Sequence, residues 1–115
     1  MGLFAFMAKT YIIHLPHFLD EKGRLSLNLP GPARKFALGI GRFVSYATNF
    51  DGEDNEMPQC LAAIKRKRCR GQVISGINLS VGDNIEWHCT SCGTCGVVSG
   101  WQGSLWDLSE RGALQ

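Results

Sequence analysis

Apolar and polar positions along this 115-residue chain change their period twice. Thr10 to Leu15 (TYIIHL) is a β-branched and aromatic run, and after the turn residues Asp20 to Gly23 the stretch Leu25 to Leu29 (LSLNL) alternates with period two. Both read as short strands or extended arms. Pro30, Gly31 and Pro32 then punctuate the chain. Pro32 suits the first position of a helix, where its missing amide hydrogen would be unsatisfied in any case. Phe36, Ile40, Phe43, Val44 and Ala47 follow at helical spacing, which predicts one helix from Pro32 to Thr48 with this stripe as its core face. Gly39 and Gly41 weaken that helix. Their G-x-G lacks a third glycine and a preceding strand, so close packing is the better reading than a dinucleotide site.

Asn49 to Pro58 (NFDGEDNEMP) is polar, acidic and turn-rich, and reads as a linker. Beyond it, short strands are expected at Cys60 to Lys65, Gly71 to Asn78, Ile85 to His88 and Val97 to Trp101, with Gly82, Asp83 and Asn84 as a turn. Such short connections favour antiparallel pairing. The pattern predicts a single α+β domain over residues 1–115: an N-terminal arm and helix (1–50) packed on a small antiparallel sheet (58–108).

Composition narrows the function classes. The chain is 44% hydrophobic, enough for a modest core. A net charge of +2 does not by itself demand a nucleic-acid partner. No stretch approaches the roughly 20 apolar residues of a membrane span, and Leu3 to Ala8 is too short and lacks the basic start of a signal peptide. A cytoplasmic protein without membrane contact is the expectation, with Met7 as an alternative translation start. In that reducing compartment five cysteines, an odd number, argue for metal or free thiols over disulfides.

The cysteines carry the most chemistry. Eight residues separate Cys60 from Cys69, nineteen separate Cys69 from Cys89, and two separate Cys89 from Cys92. Two sulfur pairs joined by a long hairpin follow the logic of a zinc ribbon holding Zn2+. In Cys89-Thr90-Ser91-Cys92-Gly93 the glycine can adopt the positive φ that lets backbone amides point at sulfur. The spacing of Cys60 and Cys69 is longer than the usual two to four, so Cys60 is the least regular of the four. Cys95 and His88 are alternative ligands. Cys89, Cys92 and Cys95 open an iron–sulfur-like C-x2-C-x2-C, but the position for the next cysteine is Ser99. His88 is aimed to the opposite strand face from Cys89. A metal with four protein sulfurs has no open coordination position, which argues against hydrolytic catalysis.

Lys65, Arg66, Lys67, Arg68 and Arg70 crowd around Cys69. They form a candidate phosphate-binding patch for nucleic acid. Equally, they could be a solvated hairpin tip, offset the charge of a tetrathiolate ion, or pair with Asp51 to Glu56. Trp87 alternates with Ile85 onto a core face. Trp101 and Trp106 are expected to cover the ribbon's open face, or to stack on bases or dock a partner protein if exposed. His14 and His17 have no nucleophile pattern beside them.

On the segments HLPHFLDEKG, LPGPARKFALGIGRFVSYAT, CLAAIKRKRCRGQVISG and IEWHCTSCGTCGVVSGWQGSLWDLS, the chain resembles a family of small, uncharacterised bacterial proteins with a C-terminal zinc-ribbon-like motif of four cysteines. The resemblance spans nearly the full chain and is most specific in the tryptophan-rich end. It implies Cys60, Cys69, Cys89 and Cys92 as the sulfur set, makes Cys95 peculiar to this chain, and brings no assigned activity. The expectation is a non-enzymatic binding module contacting nucleic acid or another protein, with a purely structural zinc module or an iron–sulfur protein as alternatives.

Overall fold

In the computed structural model the described residues are 10–49, 56–64, 67–80 and 82–109. Strand β1 (Thr10–His14) leads through a 3-10 turn (Leu15–Phe18) to the long helix α1 (Gly31–Thr48). A two-residue pair follows, β2 (Ala63–Ile64) with β3 (Lys67–Arg68), and then the meander β4 (Val73–Asn78), β5 (Asn84–Cys89) and β6 (Cys95–Ser99). The α+β class holds.

The principal sheet has the order β1-β6-β5-β4. Short turns make β4–β5 and β5–β6 antiparallel, but β1 runs parallel to β6, with Thr10 opposite Cys95 and His14 opposite Ser99. The sheet is therefore mixed, not wholly antiparallel, and the helix follows the first strand instead of opening the fold. The connection from β1 to β6 contains the helix and the whole meander, so no tight turn dictates its direction. Tyr11 and Ile13 face the helix side, where Tyr11 stacks on Trp87 with ring centroids 6.0 Å apart.

LSLNL is not a strand. Only Leu25 bridges, to Leu19, around the turn in which the Asp20 carboxylate accepts the N–H groups of Lys22 and Arg24. Leu27 stands 88% exposed; alternation without a neighbouring strand to receive it carries no ladder. The segment expected as a strand from Cys60 to Lys65 is reduced to β2. Of the predicted linker, residues 50–55 lie outside the described residues, as does the Met7 region.

One helix face closes the core. Ala37, Ile40, Phe43, Val44 and Thr48 are buried at helical spacing against β4 and β5, an apolar stripe of the width a core-facing helix needs. Phe36 and Ala47 sit half-buried at its margins. The Phe43 ring lies 4.6 Å from Trp87, and Ser75 on β4 donates to the Phe43 carbonyl at 2.9 Å. The C-terminal loop finishes this layer. Trp101 is buried and its Nε1 donates to the Asp83 carbonyl at 2.7 Å. Trp106 lies half-buried on α1 at Gly41, where a Cβ would collide with the ring. Both tryptophans thus serve the packed core and α1, and neither covers the outer face of the sheet as the sequence suggested.

Candidate metal centre

Four cysteines from two distant stretches meet at one end of the sheet. The sulfurs of Cys60, Cys69, Cys89 and Cys92 all lie within 4.8 Å of one another. Cys60 Sγ is 3.7 Å from Cys92 Sγ, and Cys69 Sγ is 3.7 Å from Cys89 Sγ. This group could hold a metal ion.

The β2–β3 pair explains the awkward spacing of the first two. Ala63 pairs with Arg68 and Ile64 with Lys67, so β2 and β3 run antiparallel and both cysteines stand at the base of that pair. Cys69 N–H donates to the Ala62 carbonyl at 2.9 Å, and Cys60 N–H to that of Gly71 at 2.9 Å. The second pair leaves the end of β5 in a knuckle. Cys89 N–H donates to the Thr94 carbonyl at 2.8 Å, and Gly93 takes φ 80°, the left-handed conformation that glycine adopts without steric cost.

Backbone amides converge on the sulfurs. Ala62 N–H donates to Cys60 Sγ, Gly71 N–H to Cys69 Sγ and Ser91 N–H to Cys89 Sγ, each at 3.3 Å, while Cys92 N–H reaches Cys89 Sγ at 3.4 Å. In three of the four the donor stands two residues beyond the sulfur. Such hydrogen bonds lower the cost of gathering negative sulfur and fix each side chain's direction. Gly71 matters for a further reason: a Cβ there would stand 2.6 Å from Cys89 Sγ and 2.7 Å from the Ser91 side chain.

The thiols are not equivalent. Burial, then the neighbouring thiols Cys89 and Cys92, push Cys60 up to about 12 against the pull of the Ala62 amide. The Gly71 amide pulls Cys69 down, but burial and the same two neighbours outweigh it, and the net direction is upward. Cys92 goes the other way. Burial raises it, yet Thr94 and the adjoining Cys89 and Cys60 bring it down to about 7. The Cys92 sulfur is 3.2 Å from the Thr94 hydroxyl, a buried group on the loop entering β6. Thr94 is a member of the site that the cysteine spacing did not reveal; its place two residues after Cys92 is the one available signal.

The remaining candidates lie elsewhere. Cys95 is on the outer face of β6, 3.6 Å from Thr10 Oγ1, and is not among the four convergent sulfurs. His88 is exposed, opposite Cys95 and on the other face of β5 from buried Cys89. Arg68 and Arg70 are exposed on either side of Cys69. Lys65 and Arg66 lie outside the described residues, and for Lys67 only the backbone position in β3 is described. His14 Nδ1 is 3.1 Å from Ser99 Oγ, and its ring meets His17 edge-on at 5.0 Å.

Among the described residues no helix is long and apolar enough to cross a membrane. Comparison of the chain with protein-family models, with curated proteins and with solved structures finds no match in any of the three.

Proposed function

We propose that this chain is a non-enzymatic, zinc-ribbon-like binding module whose Cys60, Cys69, Cys89 and Cys92 hold Zn2+, and whose basic hairpin contacts nucleic-acid phosphates. The sulfur geometry carries the reading. Tetrahedral zinc with bonds of about 2.3 Å to sulfur requires sulfurs about 3.8 Å apart, against the 3.7 Å of the two closest pairs. Four thiolates fill the coordination sphere and leave no position for substrate or activated water, which supports a structural role for the ion. An iron–sulfur centre built on the Cys89, Cys92 and Cys95 run is disfavoured by the position of Cys95 on the sheet's outer face.

Metal analysis of the purified chain with serine replacements tests the centre. One zinc per chain is expected, lost in C60S, C69S, C89S and C92S and kept in C95S. Iron in place of zinc, or retention after any of the four replacements, removes the reading.

The partner reading rests on exposed Arg68 and Arg70 beside Cys69. No tyrosine, phenylalanine or tryptophan among the described residues is exposed, so base stacking gains no support and contact through phosphate is the form the reading takes. Neutralising Arg68 and Arg70 should weaken binding to DNA or RNA uniformly across sequences and flatten its salt dependence by about one in log–log slope for each phosphate no longer engaged. Binding unchanged by neutralisation would remove the hairpin as the contact surface, and no salt-dependent binding to DNA or RNA at all would remove nucleic acid as the partner, in both cases leaving the metal centre intact.

A further inference from the structure

Strand β1 is an edge with a partner on one side only. It pairs with β6 and, among the described residues, with nothing on its other side. Edge strands expose a row of unpaired backbone donors and acceptors that invite another strand, and proteins ordinarily blunt them with lysine, proline, a bulge or an inward-pointing charge. The segment Thr10–His14 (TYIIH) has none of these. It is instead made of residues that favour strands, and its central residue, Ile12, is 89% exposed. Its one neighbour, β6, is parallel, whereas a strand added on the free side could pair antiparallel, the more stable arrangement per residue.

The opposite edge differs. At β4 the end near the metal centre is already engaged: Val73 N–H donates to the Pro58 carbonyl at 2.8 Å, and Gln72 bridges Gln59. The rest of β4 includes Gly76, a weak strand former with open space where a side chain would begin.

We propose that β1 is a self-association surface on which a second copy of this chain adds its own β1 antiparallel, forming a two-fold dimer with one continuous sheet. Antiparallel pairing centred on Ile12 sets Thr10 against His14, Tyr11 against Ile13 and Ile12 against its own copy. No Asp, Glu, Lys or Arg lies within the segment, so no such like charges face each other. The surface is self-complementary, as an isologous contact must be. Ile12 shares the sheet's outer face with half-buried Val97, its register partner on β6. The two copies of this pair would form an apolar strip across the two-fold axis. Strands of this length bury an area at the low end of protein interfaces, so dissociation in about the micromolar range or weaker is expected.

The test measures solution mass of the full, metal-loaded chain by sedimentation across concentration. The expected result is a concentration-dependent species at twice the chain's 12.6 kDa. Ile12→Lys should remove it while leaving metal content and tryptophan fluorescence unchanged; Leu79→Lys, at a 78% exposed residue off this edge, should leave it in place. Backbone amides of β1 should gain protection from hydrogen exchange as concentration rises. A single-chain mass up to about millimolar concentration would overturn the proposal, since even a weak interface forms there. So would a dimer that survives Ile12→Lys, or one lost on deleting residues 1–9 but indifferent to Ile12→Lys.

Discussion

Gly71 stands so close to Cys89 that the smallest side chain would press on its sulfur: a Cβ would lie 2.6 Å from Sγ. The same residue donates its N–H to Cys69 Sγ at 3.3 Å, so it serves one sulfur of each pair. Gly71→Ala should displace either the amide or the Cys89 side chain. Disturbing the groups that orient metal ligands typically costs about ten- to hundredfold in metal affinity. Competition against a chromophoric chelator measures this, and an unchanged affinity would show that the two stretches can separate freely.

On the proposed zinc reading, removing the ion should bring the chain to the brink of unfolding. Structural zinc contributes on the order of 10 kcal/mol in apparent terms, as much as the whole net stability of a typical domain. Without an ion the hairpin base and the β5 knuckle are held by the end of the β4–β5 ladder at Val73 and Cys89 and by the Thr90 N–H donating to the Gln72 carbonyl at 3.0 Å. Calorimetry after chelation is expected to show a large fall in Tm, reproduced by Cys60→Ser. Cys95→Ser, on the outer sheet face, should stay within about 0.5 kcal/mol of the parent.

Metal affinity should fall as pH falls, because each ligand must be deprotonated to bind. The fall should have a break near pH 7. Above it Cys92, brought down to about 7 by Thr94 and its neighbouring thiols despite burial, is already ionised in the metal-free chain. Below it the metal must displace that proton as well, and the slope steepens by about one order of magnitude per pH unit. Cys60, held up at about 12, loses its proton to the metal at every ordinary pH. Thr94→Val should move the break upward; titration of zinc affinity between about pH 5 and 9 reads it directly.

Two glycines should respond oppositely to alanine. Within α1, Gly41→Ala improves helix propensity by about 1 kcal/mol, but its methyl would strike the Trp106 indole. The tryptophan is not free to leave, because Ser45 Oγ donates to its carbonyl at 3.0 Å and Leu108 N–H donates to Thr48 Oγ1 at 3.0 Å. Overpacking of this kind costs about 1–3 kcal/mol, so net destabilisation is expected in denaturant melts. Gly76→Ala on β4, with nothing within 4 Å, should be neutral or stabilising.

The helix and the meander were legible because their signals are local. Pro32 and the stripe through Ile40, Phe43 and Val44 mark α1, and short turns force β4, β5 and β6 to pair in order. The convergence of the four sulfurs was also legible, since a Cys-x-x-Cys-Gly turn and a second pair of cysteines one hairpin away suit a single ion. What escaped was non-local. Nothing in TYIIHL specifies that it lies parallel to a strand some 85 residues later, and LSLNL alternates as cleanly without entering any ladder. The amide of Gly71 and the hydroxyl of Thr94 reach sulfur only through the folded turns, so neither could be ranked above other small residues in advance. The tryptophans misled for a similar reason: Trp106 finds its seat on Gly41, a partner 65 positions away in sequence.

The pairing of the first strand with the last imposes an order on biosynthesis. Residues from Cys60 to Ser99 contain all four sulfurs and the whole meander, so the metal site and three strands of the sheet come from one continuous span. Thr10–His14 emerges long before, and its place beside β6 does not exist until Cys95–Ser99 has been translated. Through most of synthesis, then, an apolar segment is without its docking groove, and pairing of such high contact order is intrinsically slow. Nascent copies of this chain are therefore exposed to mispairing and to chaperone capture at Thr10–His14 until β6 is made.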